Sequence, residues 1–246
     1  MNNIWPILNL LRKDYYDLGF CKLPIEDTPD VRWMLGCSFN DILGAKVLGS
    51  NLFDEGPYEF GHVQIKRDDI VFDIGANLGL FTALACDRQA RVYAVEPLPA
   101  NIISLEKFQR LNPSFNFDIV PVALSNYNGT GTFYACSTDR GLATLSNVEV
   151  DNSQAVYDEI SEVKIQTLDS LAKELNLNKV DFIKCDIEGG EENMLLGATE
   201  VLREFRPKLA ICTYHTSNTK ERIEEIVLNA NPRYIISHAW RKMYAY

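Results

Sequence analysis

Basic charge is in short supply in this chain of 246 residues: 24 lysines and arginines stand against 34 aspartates and glutamates, a formal net charge of −10. That balance argues against a nucleic-acid substrate, which needs clustered lysine and arginine, and against adhesion to an anionic membrane surface. Histidine is scarce, with only His62, His215 and His238. The six cysteines form no C-x-x-C pair. A chain of this size needs no disulfide framework, so free, reduced thiols are expected. No long apolar run is present. The stretch near the start stops at Arg12-Lys13-Asp14, too short for a signal peptide or a membrane span. A soluble, cytoplasmic protein without membrane insertion is the expectation. Internal repeats and low-complexity segments are also missing, while 46% apolar residues suffice for a large core.

Two regions differ in character. Residues 1–66 show short helical patterns such as Ile7-Leu8-Asn9-Leu10-Leu11 and turn signals at Pro24, Gly44, Gly56-Pro57 and Gly61. They are expected to form a helical or irregular cap over a cleft, or a subunit interface in a homo-oligomer. Residues 67–246 alternate apolar β-type runs with amphipathic helical runs, the pattern of a mostly parallel sheet with helices on both faces. Strands are expected at about 70–74, 91–95, 117–122, 180–185, 208–214, 233–238 and 241–245, and helices at about 77–88, 98–111, 168–176, 190–204 and 218–230. Only a short turn separates the last two strands, so they should pair antiparallel. Residues 125–165 interrupt the alternation and read as an inserted hairpin or flap.

The sharpest local signal is Val71-Phe72-Asp73-Ile74-Gly75-Ala76-Asn77-Leu78-Gly79. A strand that breaks into a glycine turn and then a helix brings bare backbone up to a ligand. A second strand, Arg91 to Val95, ends in Glu96-Pro97, and an acid at that point suits a ribose diol. The middle glycine of a dinucleotide fingerprint is absent, and Asp73 stands just before the turn. A carboxylate there would repel a pyrophosphate and favour a cation, so the nucleoside implied is S-adenosylmethionine rather than NAD.

From these residues the sequence resembles the FkbM-type S-adenosylmethionine-dependent methyltransferases. The resemblance covers about residues 57–246. It is carried by the Asp69–Gly79 block, Tyr93-Ala94-Val95-Glu96-Pro97, Thr167-Leu168-Asp169, the run from Val180 to Glu191 containing Lys184-Cys185-Asp186-Ile187-Glu188-Gly189-Gly190-Glu191, and Arg206-Pro207. It implies a Rossmann-like class I methyltransferase fold, α/β, with a seven-stranded mostly parallel sheet whose last strand is antiparallel. It also implies methyl transfer, commonly to a hydroxyl of a sugar, glycan or secondary metabolite. Cofactor-binding roles carry over onto Asp73, Gly75, Asn77, Gly79, Glu96, Asp186 and Glu188, with Pro97 and Ala123 adjoining. Ile211-Cys212-Thr213-Tyr214-His215 is similar to a branch of the family with Tyr-His after the fifth strand.

Methyl transfer needs an oxygen aligned with the C–S axis, water excluded, and the hydroxyl proton removed. His215, at the end of the fifth strand, is the natural proton acceptor; holding a loop carbonyl is the competing role. Asp186 would orient it or bind the cofactor ammonium, or else cap a helix, and Glu188 competes with a helix-dipole role. His238 and His62 read as structural and surface residues. Asp186, Glu188 and His215 also suit a divalent metal, ranked second because no further acid near His215 is evident. An O-methyltransferase acting on a sugar or small metabolite is the leading expectation. N- or carboxyl-methylation, an NAD-dependent reductase and a non-catalytic nucleoside-binding module are the alternatives.

Overall fold

The computed structural model describes residues 15–17, 19–24, 56–136, 139–145, 158–215 and 219–246. Strands β1 (Tyr15–Asp17) and β2 (Lys22–Pro24) form an antiparallel hairpin. Then follow β3 (Ile70–Ile74), α1 (Leu80–Asp87), β4 (Arg91–Val95), α2 (Pro99–Leu111), β5 (Phe117–Val120), β6 (Ala123–Leu124), β7 (Gly129–Cys136), β8 (Asp139–Leu145) and β9 (Glu159–Gln166). The C-terminal part comprises α3 (Leu168–Glu174), β10 (Phe182–Cys185), α4 (Glu191–Leu196), α5 (Thr199–Glu204), β11 (Lys208–Cys212), α6 (Thr219–Ala230), β12 (Ile236–Ala239) and β13 (Lys242–Ala245).

The main sheet has seven strands in the order β12-β13-β11-β10-β3-β4-β5. Strands β11, β10, β3, β4 and β5 run parallel, and β13 pairs antiparallel with both β11 and β12. This is the expected sheet. Its strands read as continuous apolar runs because both faces are covered. Alternate residues divide between two cores. Phe72, Ile74, Tyr93, Val95, Ile183, Cys185, Leu209, Ile211 and Met243 pack with α3, α4, α5 and α6. Val71, Val92, Ala94, Phe182, Ala210, Cys212 and Tyr244 pack with α1 and α2 on the other face.

Several boundaries differ from expectation, each for a local reason. Strand β5 stops at Val120 because Pro121 has no N–H for the ladder. Helix α1 begins at Leu80 rather than at residue 77, since Asn77 and Gly79 both hold positive φ and set the turn before it. Strand β11 ends at Cys212, so His215 lies in the loop beyond rather than at the strand's end. The single helix expected over 190–204 is two helices. Asp169, near the start of α3, accepts from the amides of Glu200 (3.0 Å) and Val201 (2.9 Å) and so supplies the N-cap of α5 from another element.

The insert at 125–165 is more than a hairpin. Strands β7 and β9 pair antiparallel as expected, but β8 extends them and β6 joins in parallel, giving a four-stranded sheet in the order β6-β9-β7-β8. Its inner face closes on Leu98, Phe133, Leu145, Val163 and Ile165.

The N-terminal region also departs from the helical expectation where it is described; the helical pattern at residues 7–11 lies outside the described residues. The β1–β2 hairpin docks on the end of α2, where the Asn112 side chain accepts from Lys22 N (2.8 Å) and donates to Lys22 O (2.7 Å). Tyr58, Val63 and Ile65 are members of the α1–α2 core. The segment from residue 56 therefore packs into the main body, ahead of the boundary drawn at residue 66. Five buried cysteines are free thiols, and among the described residues no helix is long and apolar enough to cross a membrane.

The remote cap gives a direct check. Asp169→Ala should lower stability by about 1–2 kcal/mol, read as a shifted urea midpoint. An unchanged midpoint would mean that α5 starts without Asp169.

Candidate active site

The direction of strand succession reverses between β3 and β10, the point where open α/β sheets bind ligands at their carboxyl ends. Gly75 leaves β3 there with φ of 78°, and a Cβ on it would run into the carbonyl oxygen of Asp186. Only glycine permits both the left-handed turn and this approach of two strand ends.

The turn is held by a buried cation that sequence reasoning did not assign. Lys184 of β10 sits in register with Asp73 of β3, and its Nζ lies 3.1 Å from Asp73 Oδ1. The same Nζ donates to the carbonyls of Ile74 (3.2 Å) and Gly75 (2.6 Å). Asp73 is completely buried and also accepts from Thr82 Oγ1 at 2.6 Å. The expectation that Asp73 faces a cationic ligand is therefore corrected: its charge is neutralised inside the fold. Burial opposes a charged Lys184, but Asp73 and Asp186 outweigh it and raise the lysine's pKa.

Glu96 is buried at the tip of β4. Its Oε2 accepts from Asn77 N and its Oε1 from Leu98 N, both at 2.9 Å, and Asn101 of α2 adds a side-chain hydrogen bond. Burial raises the pKa of Glu96 against the pull of these donors. A carboxylate oxygen accepts more than one hydrogen bond, so Glu96 retains acceptor capacity while it fixes the loop. The amides of Gly75 and Ala76 bond to Val95 O, that of Asn77 to Glu96, and that of Gly79 to Ala76 O. These turn amides are all engaged within the protein. A dinucleotide pyrophosphate would need such donors free, and this argues against NAD. A nucleoside whose ribose meets a carboxylate and whose remainder is cationic fits the donor set.

Across the switch point lies a second group. Asp186, just past β10, accepts from Tyr58 Oη at 2.6 Å through Oδ2. Burial alone would raise its pKa, but Lys184, His215, the Tyr58 hydrogen bond and Lys242 bring it down to about 2. Its Oδ1 stands 3.6 Å from His215 Nε2, and Glu188 Oε1 stands 3.5 Å from the same nitrogen. Glu188 reaches back because the chain turns left-handed at Glu188 and Gly189, with φ of 52° and 95°. A non-glycine residue held so is uncommon, and such positions gather at functional sites. His215 Nδ1 is 2.9 Å from Glu191 Oε1, and the same oxygen accepts from Ile187 N. Burial disfavours a charged imidazole, yet the charges of Glu191 and Glu188 raise the His215 pKa well above the ordinary value.

Of the expected residues, the structure brings together Asp186, Glu188 and His215 on one side of the switch point and Gly75, Asn77, Gly79 and Glu96 on the other. Pro97 is half-buried beside Glu96, whereas the Ala123 methyl is buried under the second sheet, leaving only its backbone to face a ligand. His238 Nε2 bonds Glu224 at 2.9 Å and is structural, as expected; His62 is exposed against Tyr246. Tyr58, Lys184, Glu191 and Asn101 were missed. A lysine inside the apolar run Phe182-Ile183-Lys184-Cys185 was the available signal for one of them.

Removing one member of a buried ion pair strands the other. Lys184→Met should cost about 3–5 kcal/mol in a urea titration, and Asp73→Asn combined with Lys184→Met should recover part of that loss. A double variant as unstable as the single one would show that the pair is not coupled.

Known proteins supply the remaining comparison. A 73% share of this chain superposes on 44% of a Methylobacillus flagellatus FkbM methyltransferase with a TM-score of 0.54 at 21% identity, which speaks for the fold. The Pseudomonas aeruginosa AMB antimetabolite synthetase AmbE is 26% identical over 70% of this chain but only 10% of its own length. The Haloferax volcanii hexuronic acid methyltransferase AglP is 27% identical over 57% of this chain and 54% of its own. The chain thus spans a tenth and about half of these two curated relatives. Residues 73–237 match the methyltransferase FkbM domain, and the chain belongs to that family.

Proposed function

We propose that the protein is an S-adenosylmethionine-dependent O-methyltransferase acting on a hydroxyl of a sugar, glycan or small metabolite. The observation that carries this reading is the pairing, across one switch point, of a buried ribose-type acid with a cluster of proton-handling groups. Glu96, with the turn from Gly75 to Gly79, would hold the nucleoside. Asp186 and Glu188 supply negative charge for the cationic remainder. S-adenosylmethionine, when bound, supplies an electrophilic methyl: the C–S bond breaks as the C–O bond to the acceptor forms, and the electron pair goes to sulfur.

The chain's own residues must orient the acceptor and deal with its proton. Glu191 fixes the imidazole plane through Nδ1, so Nε2 of His215 points at the space shared with Asp186 Oδ1. In this reading His215 and Asp186 orient the acceptor hydroxyl, and Nε2 takes its proton once the imidazole, held charged by Glu191 and Glu188, has given up its own. A carbohydrate acceptor is supported by AglP, a hexuronic acid methyltransferase that matches over half of its length. The five buried thiols support a reducing, cytoplasmic setting.

Isothermal titration with S-adenosylhomocysteine tests the nucleoside site. Glu96→Ala should weaken binding about ten- to hundredfold, since loss of hydrogen bonds to a charged group costs about 1.5–3 kcal/mol. Absence of any binding by the wild-type chain would end the proposal. His215→Ala should leave that binding within about threefold yet abolish methylation in a panel of uronic-acid and neutral-sugar acceptors. Full turnover by His215→Ala would remove the residue from the reaction.

A further inference from the structure

The acceptor side of the site carries more than acid–base geometry. Donor atoms of Asp186, Glu188 and His215 all lie within 4.8 Å of one another. The two carboxylate oxygens stand 3.6 and 3.5 Å from His215 Nε2, too far for good hydrogen bonds. Two donors at right angles about a cation stand about 2.8–3.0 Å apart at magnesium's bond lengths and about 3.3–3.7 Å apart at calcium's. The observed spacing is close to that of groups disposed around an ion.

A second observation points the same way. His215 is 7% exposed, and its Nε2 meets only the two long carboxylate contacts at 3.5 and 3.6 Å; the buried Oδ1 of Asp186 likewise has no closer hydrogen-bond partner. Buried polar atoms are almost always satisfied at shorter range, so contacts this long between buried groups leave room for a further partner among them. The other imidazole nitrogen is already fixed by Glu191, a fully buried carboxylate. A histidine whose outer nitrogen rests on a carboxylate is the usual second-layer arrangement around a bound metal. Tyr58 does the corresponding work for Asp186, holding Oδ2 so that Oδ1 faces the site.

We infer that Asp186, Glu188 and His215 form a site for one divalent cation, lying where the acceptor hydroxyl must bind. Two carboxylates and one imidazole suit such an ion, and three protein donors leave coordination positions open for acceptor oxygens and water. A cation there lowers the pKa of an alcohol it touches, which gives the acceptor activation a means. Glu191 and Tyr58 are positioning residues for two of the ligands. The further acid near the imidazole is Glu191, which acts through Nδ1. The placement at an acceptor site rests on the methyltransferase reading; the cation site itself does not.

The test uses the full chain, freed of metal by EDTA and dialysis, titrated with Mn²⁺ and followed by the electron paramagnetic resonance signal of the free ion. One ion per chain should bind, with Mg²⁺ competing. Glu188→Gln, which keeps the side chain's size, should weaken Mn²⁺ at least tenfold, and His215→Ala similarly. Glu200→Gln, on the distant α5, should leave binding unchanged. The urea midpoint of every variant is measured to confirm that it is folded, and S-adenosylhomocysteine affinity is measured separately on the wild-type chain. Wild-type chain that binds S-adenosylhomocysteine but no Mn²⁺, or equal Mn²⁺ binding by Glu188→Gln, overturns the cation site and leaves the methyltransferase reading intact. Stoichiometric Mn²⁺ without S-adenosylhomocysteine binding supports the cation site and sinks the other reading.

Discussion

The Lys184 ammonium is the hinge on which the ligand-binding end of this sheet turns. It is buried, it faces the completely buried Asp73, and it binds two successive carbonyls at the point where β3 becomes the glycine turn. Those carbonyls would otherwise point into a low-dielectric interior without a partner, a cost that buried backbone groups rarely bear. Asp73 makes the ammonium tolerable in that place, and Thr82 ties the acid to α1. A single charge pair thus sets the exit angle of the turn, and the turn sets where Asn77 N meets Glu96. The carboxylate read as a ligand contact is buried and supports the glycine turn from inside.

A second electrostatic arrangement is built on the first. Asp186 follows β10 two residues after Lys184, and its charge is stabilised by that lysine, His215 and Lys242 together with the Tyr58 hydroxyl. Its two oxygens therefore have separate tasks: one faces inward to Tyr58 and the other outward to the site. Glu188 and Glu191 bring further negative charge close to the same imidazole. Several acids converging on one buried histidine is an expensive arrangement in an isolated fold. It becomes reasonable when cationic species are the molecules the site receives, and a sulfonium donor and a divalent ion both meet that condition.

The order and direction of the seven main strands were legible in the sequence because strands buried on both faces leave short apolar runs at regular intervals. Glu96 was legible for a similar reason: its position depends only on the strand that carries it. What could not be read was whatever depends on a partner far along the chain. The cap of α5 comes from Asp169, so the only local sign of the break is Gly197, the C-cap of α4. Tyr58 reaches Asp186 from 128 residues away. The role given to Asp73 failed because Lys184 is a neighbour only through strand register. His215 was singled out by residue type, but its surroundings follow from Glu188, for which a helix-dipole role competed, and from Glu191, which was not singled out at all.

The segment before the first parallel strand also changes status once these contacts are combined. Its Gly56 carbonyl accepts from the buried Lys242, its Tyr58 ring lies under the same ammonium at 4.5 Å, and the Tyr244 hydroxyl bonds Pro57 O. Lys242 and Tyr244 belong to the antiparallel last strand, so the segment is clamped to the far side of the sheet from the nucleoside half of the site. Through Tyr58 it then touches Asp186. The strand that makes the sheet mixed rather than purely parallel is therefore more than an edge closure. By anchoring Tyr58 it fixes which oxygen of Asp186 turns toward His215, so a fold element remote from the glycine turn in sequence shapes the cluster at the switch point.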